Sequence, residues 1–185
     1  APSGGVWTLR DVTGSGTSVT ASNAGDWRIA DSELGVVYAT DTTGGWTITD
    51  STVEQVWADG TTGDWHIAAS RVGLSVFADG STGDWTIRGS RLGPTANPGT
   101  VVLTAPDTEG DWTVADTEII GTRATAIDTR RSTGNWRLVG SATSGKLDAR
   151  DTDGDWRVES SAVARDRGGT SVLATGTRGA WSIDG

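Results

Sequence analysis

Aspartate stands directly before a tryptophan at Asp26, Asp64, Asp84, Asp111 and Asp155, and Asn135 takes the same place once. If these positions stack in a sheet, their side chains line up about 4.8 Å apart, the spacing of neighbouring strands. A divalent calcium ion takes about six to eight oxygen ligands. Asp64, Asp84 and Asp111 are therefore a weak candidate row for Ca²⁺. The plainer reading is that each side chain caps its own turn. A second acidic row, Asp41, Asp59, Asp79 and Asp107, falls near the same corner. Its spacing matches no calcium-loop signature.

Other catalytic chemistry is sparsely provided. His66 is the only histidine and there is no cysteine. A Ser-His-Asp triad would have to use His66, which the local pattern places on an outer surface, and a zinc site of histidines and thiolates is excluded. Carboxylates are abundant enough for a glycosidase pair, yet no two are singled out. Arg130, Arg131 and Arg150 could meet an anionic sugar, but balancing the nearby acids is the simpler role. No catalytic residue is assigned.

The elements that would position these groups follow from a repeat. Trp7, Trp27, Trp46, Trp65, Trp85, Trp112, Trp136, Trp156 and Trp181 recur with a base period of about twenty residues and a few longer intervals. Gly lies two positions before all nine, a place that asks for positive φ or a close approach between coils. A branched aliphatic lies two positions after, with a polar residue between, as in Trp27-Arg28-Ile29. Period two puts Trp and the aliphatic on one inward face. Seven coils carry Ser or Thr five positions after Trp, expected to bond its counterpart in the next coil or an indole N–H.

A second strand precedes each Gly turn. It pairs an inward large residue such as Val37, Val56 or Val76 with an inward Ala39, Ala58 or Ala78. The residue between them points outward. On three successive coils that residue is Tyr38, Trp57 and Phe77, a candidate binding ladder of exposed aromatics for a protein partner or a saccharide. Trp27, Trp46, Trp65, Trp85, Trp112, Trp136 and Trp156 are expected to form the structural core. Length variation falls between the two inward strands, at 93–101, 120–126 and 164–171, so these loops leave from one edge.

The expected fold is therefore all-β: residues 1–185 as one parallel β-solenoid of about eight coils, roughly 20 residues each, with a Trp/Ile-filled core. Segments such as Asp26-Trp27-Arg28-Ile29-Ala30-Asp31-Ser32-Glu33-Leu34 and Asp84-Trp85-Thr86-Ile87-Arg88-Gly89-Ser90-Arg91-Leu92 resemble the strand–turn–strand unit of the right-handed parallel β-helix repeat, the pectate-lyase-like superfamily. That resemblance implies a fold. It spans polysaccharide lyases, hydrolases, tailspikes and non-catalytic surface proteins alike, and none of its catalytic residues map onto this chain.

Composition narrows the partners. The net charge is −9, and neither half of the chain is basic, which argues against nucleic acid. No apolar stretch reaches the roughly 18 residues of a membrane span. The chain contains no methionine, so Ala1 would follow a cleaved signal peptide or a trimmed initiator. An extracellular, cell-surface or virion setting is expected, with a cytoplasmic one left open. Because the repeat runs from Val6 to Ile183, both solenoid ends look open. The leading expectation is a non-enzymatic structural or assembly protein that self-associates or docks on another structural protein through those ends. The alternative is a β-helix that binds or processes polysaccharide.

Overall fold

Two parallel sheets wrap a single core. The computed structural model describes residues 4–14, 16–21, 24–94, 102–121, 125–164 and 171–184. Each of the three expected insertions lies partly outside these residues. No helix occurs among them.

The first sheet has nine strands, one for each repeat Trp, beginning with Gly5–Arg10 and Gly25–Ala30 and ending with Trp156–Glu159 and Trp181–Asp184. Equivalent residues pair exactly in register: Trp46 with Trp65, Thr47 with His66, Ile48 with Ile67. Trp85 still pairs with Trp112 across the longest interval, with no slip of register. Register is held this tightly because a shift of one residue would turn every Trp and Ile outward.

The second sheet carries thirteen strands. In the compact coils it is built from single strands, Glu33–Tyr38, Thr52–Trp57 and Arg71–Phe77. In later coils the same span is split into two short pieces, as in Arg91–Leu92 and Leu103–Thr104 or Ala142–Thr143 and Lys146–Asp148. Splitting leaves the pairing intact, since Leu103 still meets Val76.

The core is a column of indoles against aliphatics. Trp46, Trp65, Trp85, Trp112, Trp136 and Trp156 are buried, as are Ile48, Ile67, Ile87, Val56, Val76 and the alanines Ala39, Ala58 and Ala78. Trp27 departs from the expected core list: it is only half-buried, with the more open Trp7 as its neighbour on one side. Neighbouring rings from Trp27 to Trp181 lie 4.6 to 5.1 Å apart between centroids and within 6° of parallel. Carbon atoms touch at about 3.5 Å, so parallel rings at strand spacing must be inclined to the stack, the offset geometry that aromatic quadrupoles prefer. Each buried Trp removes ~200 Å² from water, an upper bound of ~5 kcal/mol at ~25 cal/mol/Å².

Left-handed corners close each coil. Four residues after Trp the backbone turns through positive φ at Asp31, Asp50, Ala69, Gly89, Asp116, Gly140 and Ser160. Five residues before Trp it does so again, at Asp41, Gly60, Gly80, Asp107, Arg131, Asp151 and Gly176. These corners accept side chains. The Gly two residues before Trp does not: at Gly83, with φ of 119°, an added Cβ would stand 2.6 Å from the Gly63 carbonyl oxygen. At that place the coils approach too closely for any side chain.

This contrast is testable in urea. Gly83→Ala should destabilise the protein by about 1–3 kcal/mol, the cost of a strained backbone that has no relief. Gly89→Ala should cost clearly less, because the equivalent corner of the preceding coil is already Ala69. Equal losses at both positions would contradict the close-approach account.

Candidate functional site

The expected site residues divide into an acidic row, an outer aromatic stack and a groove around His66. Their geometry decides what each can do.

The Asp row joins coils. Gly45 N–H donates to Asp26 Oδ1 at 2.9 Å, Asp84 N–H to Asp64 Oδ1 at 2.9 Å, and Asp111 N–H to Asp84 Oδ1 at 2.8 Å. Asn135 N–H donates to Asp111 at 2.8 Å, Asp155 N–H to the Asn135 side chain at 3.0 Å, and Ala180 N–H to Asp155 at 2.8 Å. Each side chain thus supplies an acceptor to the following coil's backbone, which corrects the expectation that it caps its own turn. Among the described residues no three His, Asp or Glu side chains gather around a common point. The calcium reading of Asp64, Asp84 and Asp111 therefore gains no geometric support. A signal for the acceptor role was present in the sequence: Asn135 keeps the oxygen and drops the charge.

Hydroxyls form two further rows. The Ser or Thr five residues after Trp accepts from its counterpart one coil back: Ser32 N–H donates to Ser51 Oγ at 3.1 Å and Ser51 N–H to Ser70 Oγ at 3.2 Å. Each Oγ donates to a carbonyl two residues back, as Ser51 does to Thr49 at 2.7 Å. This row bonds to the neighbouring coil, the first of the two expected partners. The indole is met elsewhere. Trp46 Nε1–H donates to Thr42 Oγ1 at 3.3 Å and Trp65 Nε1–H to Thr61 Oγ1 at 3.2 Å. A hydroxyl stands four residues before every Trp from Trp46 to Trp181, a pattern the sequence reading missed. At Trp27, Trp85, Trp112, Trp136, Trp156 and Trp181 the buried Nε1 has no hydrogen-bond partner.

The outer aromatics do come together. Tyr38 and Trp57 stack at 6.3 Å and 26°, and Trp57 and Phe77 at 4.2 Å and 25°. Tyr38 is 39% exposed, while Trp57 and Phe77 are half-buried. Trp57 Nε1–H donates to Gln55 Oε1 at 3.3 Å. Both faces of Trp57 are turned toward a neighbouring ring, as is one face each of Tyr38 and Phe77. A sugar ring stacks on a free face, which this arrangement does not provide between its members. Further along the same row the aromatics give way to Thr104, Asp128 and Asp148. There Arg130 grips Asp128 with two bonds of 2.8 and 2.7 Å, and Arg150 grips Asp148 at 2.8 and 2.9 Å. Arg131 does the same to Asp107. All three arginines thus balance acids.

His66 lies in an open groove of about 900 Å³ on the outer face of the Trp sheet, beside Thr47 and Thr86 and near Asp26, Asp64 and Asp84. Three of those acids already hold a backbone N–H of the next coil.

Two carboxyls are shifted in opposite directions. Burial pushes Asp148 up, but the Arg150 fork and charge, with Lys146, outweigh it and hold the carboxyl below the usual range. Its contribution to stability is therefore present above the unfolded value of about 3.9 and is lost as pH falls through the folded value. Asp59 is raised, first by burial and then by repulsion from Asp79 and Asp41, against a hydrogen bond from Asp79 N–H. Its ionisation at neutral pH works against folding.

A parallel β-solenoid with an internal tryptophan ladder is thus the class that this fold and these rows define. The chain matches no known protein-family model, no curated protein and no solved structure.

Two substitutions check the rows. Asp84→Asn should leave stability nearly unchanged, and Asp84→Ala should cost about 0.5–1.5 kcal/mol, the net worth of one hydrogen bond to the exposed Asp111 N–H; added Ca²⁺ should shift the melting temperature of neither. Asp59→Asn keeps the acceptor and removes the charge, so its melting temperature should exceed the parent's at pH 7 and converge with it in acid. A lower melting temperature at pH 7 would contradict the assignment.

Proposed function

We propose that this chain is a non-enzymatic structural protein, a stiff solenoid segment that works by joining others end to end. The carrying observation is where apolar surface remains. Among the described residues the exposed large hydrophobics are Val6 at 72%, Trp7 at 49%, Ile183 at 61% and Tyr38. Three of the four sit on Gly5–Arg10 and Trp181–Asp184, the outermost strands of the Trp sheet. A free strand edge with apolar side chains is a pairing template.

The occupant proposed is a second copy. Arg10 and Asp184 occupy the same register place in their coils, through Ala30 at one end and Glu159 at the other. Head-to-tail stacking would set opposite charges together and extend the indole column. Such a contact is heterologous and does not close. The reading is also supported by the recurrent polar residues, whose atoms bond the coils to one another. Kinship with pectate-lyase-like β-helices, and a setting on a cell surface or virion, belong to this proposal and rest on the coil pattern alone. The stacking of Tyr38, Trp57 and Phe77 on one another, which occupies both faces of Trp57, weighs against the polysaccharide alternative.

Light scattering after size-exclusion chromatography, over a wide concentration range, tests the proposal. Mass should rise with concentration, and Val6→Lys or Ile183→Lys should hold the protein monomeric. A monomer at every concentration, or cleavage of a polysaccharide in a reducing-end assay, would overturn it.

A further inference from the structure

We propose that the notch at Gly45 is a docking site for a carboxamide, the side chain of an asparagine or glutamine on a partner protein. It opens on the outer face of the Trp sheet, where the chain enters the third strand, Trp46–Thr49. The site does not depend on whether copies join end to end.

One donor of the Asp row is left out. Gly45 N–H is held by Asp26, and from Asp84 onward each backbone N–H at this place is held by the side chain of the preceding coil. Asp64 N–H is the exception. The place that should supply its acceptor is Gly45, and among the described residues this N–H meets no acceptor. Nothing in the backbone demands glycine there. Gly44 beside it has φ of 126°, and a Cβ on it would run into the Gly25 carbonyl. Gly45 lies outside the left-handed region. A Cβ added to it would stand 3.4 Å from the Asp64 carbonyl oxygen and 3.6 Å from Asp26 Oδ1, ordinary contact distances. This coil has room for Asp or Asn, like its neighbours, and carries neither. A break in a repeat that forgoes a stabilising bond without steric need marks a place kept open for something else.

The row itself shows what fits the gap. Asn135 Oδ1 accepts from Asp155 N–H at 3.0 Å, and Asn135 Nδ2 donates to Asp111 Oδ1 at 3.1 Å. A carboxamide links the coils on both sides of it because one planar group carries an acceptor and two donors. In the notch the same group accepts from Asp64 N–H and donates to the Asp26 carboxylate. Charged groups fit worse. A carboxylate would stand among Asp26, Asp64 and Asp84, with Arg28 and His66 the only bases lining the groove. An ammonium offers no acceptor to Asp64 N–H. Thr47, His66 and Thr86 stand in one row beside the notch and offer hydrogen bonds to the partner's main chain.

Four tripeptides test this, each Gly-X-Gly with both ends capped without a primary amide and Gln, Glu, Met or Ser at the centre. They are titrated into isotope-labelled Ile183→Lys protein, altered on the far end strand so that joining of copies does not broaden the spectrum. NMR follows the amide proton of Asp64. The Gln peptide should move that resonance downfield and saturably, and the other three should bind roughly tenfold more weakly or worse. Asp111 N–H, whose acceptor is Asp84, should stay in place throughout. Gly45→Asn fills the notch from within the chain. It should raise the melting temperature, shift Asp64 N–H downfield without peptide, and abolish the response to the Gln peptide. A motionless Asp64 resonance, an equal response to the Glu, Met or Ser peptide, an undiminished response in Gly45→Asn, or a lower melting temperature of that variant would overturn the proposal.

Discussion

Each coil rests on a near-repeat of itself, and parallel pairing of like residue over like residue is the constraint from which the rest follows. A parallel strand places residue over like residue at about 4.8 Å. Whatever occupies a position must therefore tolerate its own kind on both sides, and few side chains do. Flat rings tolerate it by inclining and sliding into offset contact, which is why Trp stands over Trp through nine strands. Hydroxyls and carboxylates tolerate it by accepting from the backbone N–H of an adjacent coil. Unpaired charges would not, and on the outer row the buried Asp128 and Asp148 are each matched with an arginine.

The same rule explains why the acids of the described residues lie in rows and not around a common point. A catalytic site needs unlike groups converging on one point, with perturbed affinities for protons. Translation along the solenoid axis instead puts like groups in rows. The Asp row, the Ser row and the corner residues are products of that symmetry, and their polar atoms bond successive coils together. Departures from the rule are local. Gly45 interrupts the Asp row and opens the groove beside His66. Tyr38, Trp57 and Phe77 put aromatics on the outside for three coils only.

Energetically the structure leans on aromatic burial, with polar rows that satisfy the corners. The interior indole N–H groups are the cost of this choice. Only two meet a threonine within hydrogen-bond reach, and six remain without a partner. Repetition therefore multiplies a local imperfection as faithfully as it multiplies a good contact. It also makes the interior a uniform column, chemically unlike the mixed core of a globular domain.

How much of this the sequence contained depends on whether the information was periodic. The Gly-x-Trp spacing, the alternation around Trp and the tolerance of the long intervals were enough to determine a parallel solenoid, its inward faces and its register. Those depend only on period and on burial, which a single strand records. The outward place of Tyr38, Trp57 and Phe77 was legible for the same reason. What tertiary structure decided were the relations between coils and between rings. Asp84 serves the backbone of Asp111 rather than its own turn. Where the indole has a partner, at Trp46 and Trp65, it is the hydroxyl four residues before it, on the other side of the Gly turn. The aromatic trio is not an open platform, because its rings stack on one another. Such facts depend on side-chain direction at sub-ångström distances across a sheet, and a linear pattern records which residues align, but not how their atoms are aimed.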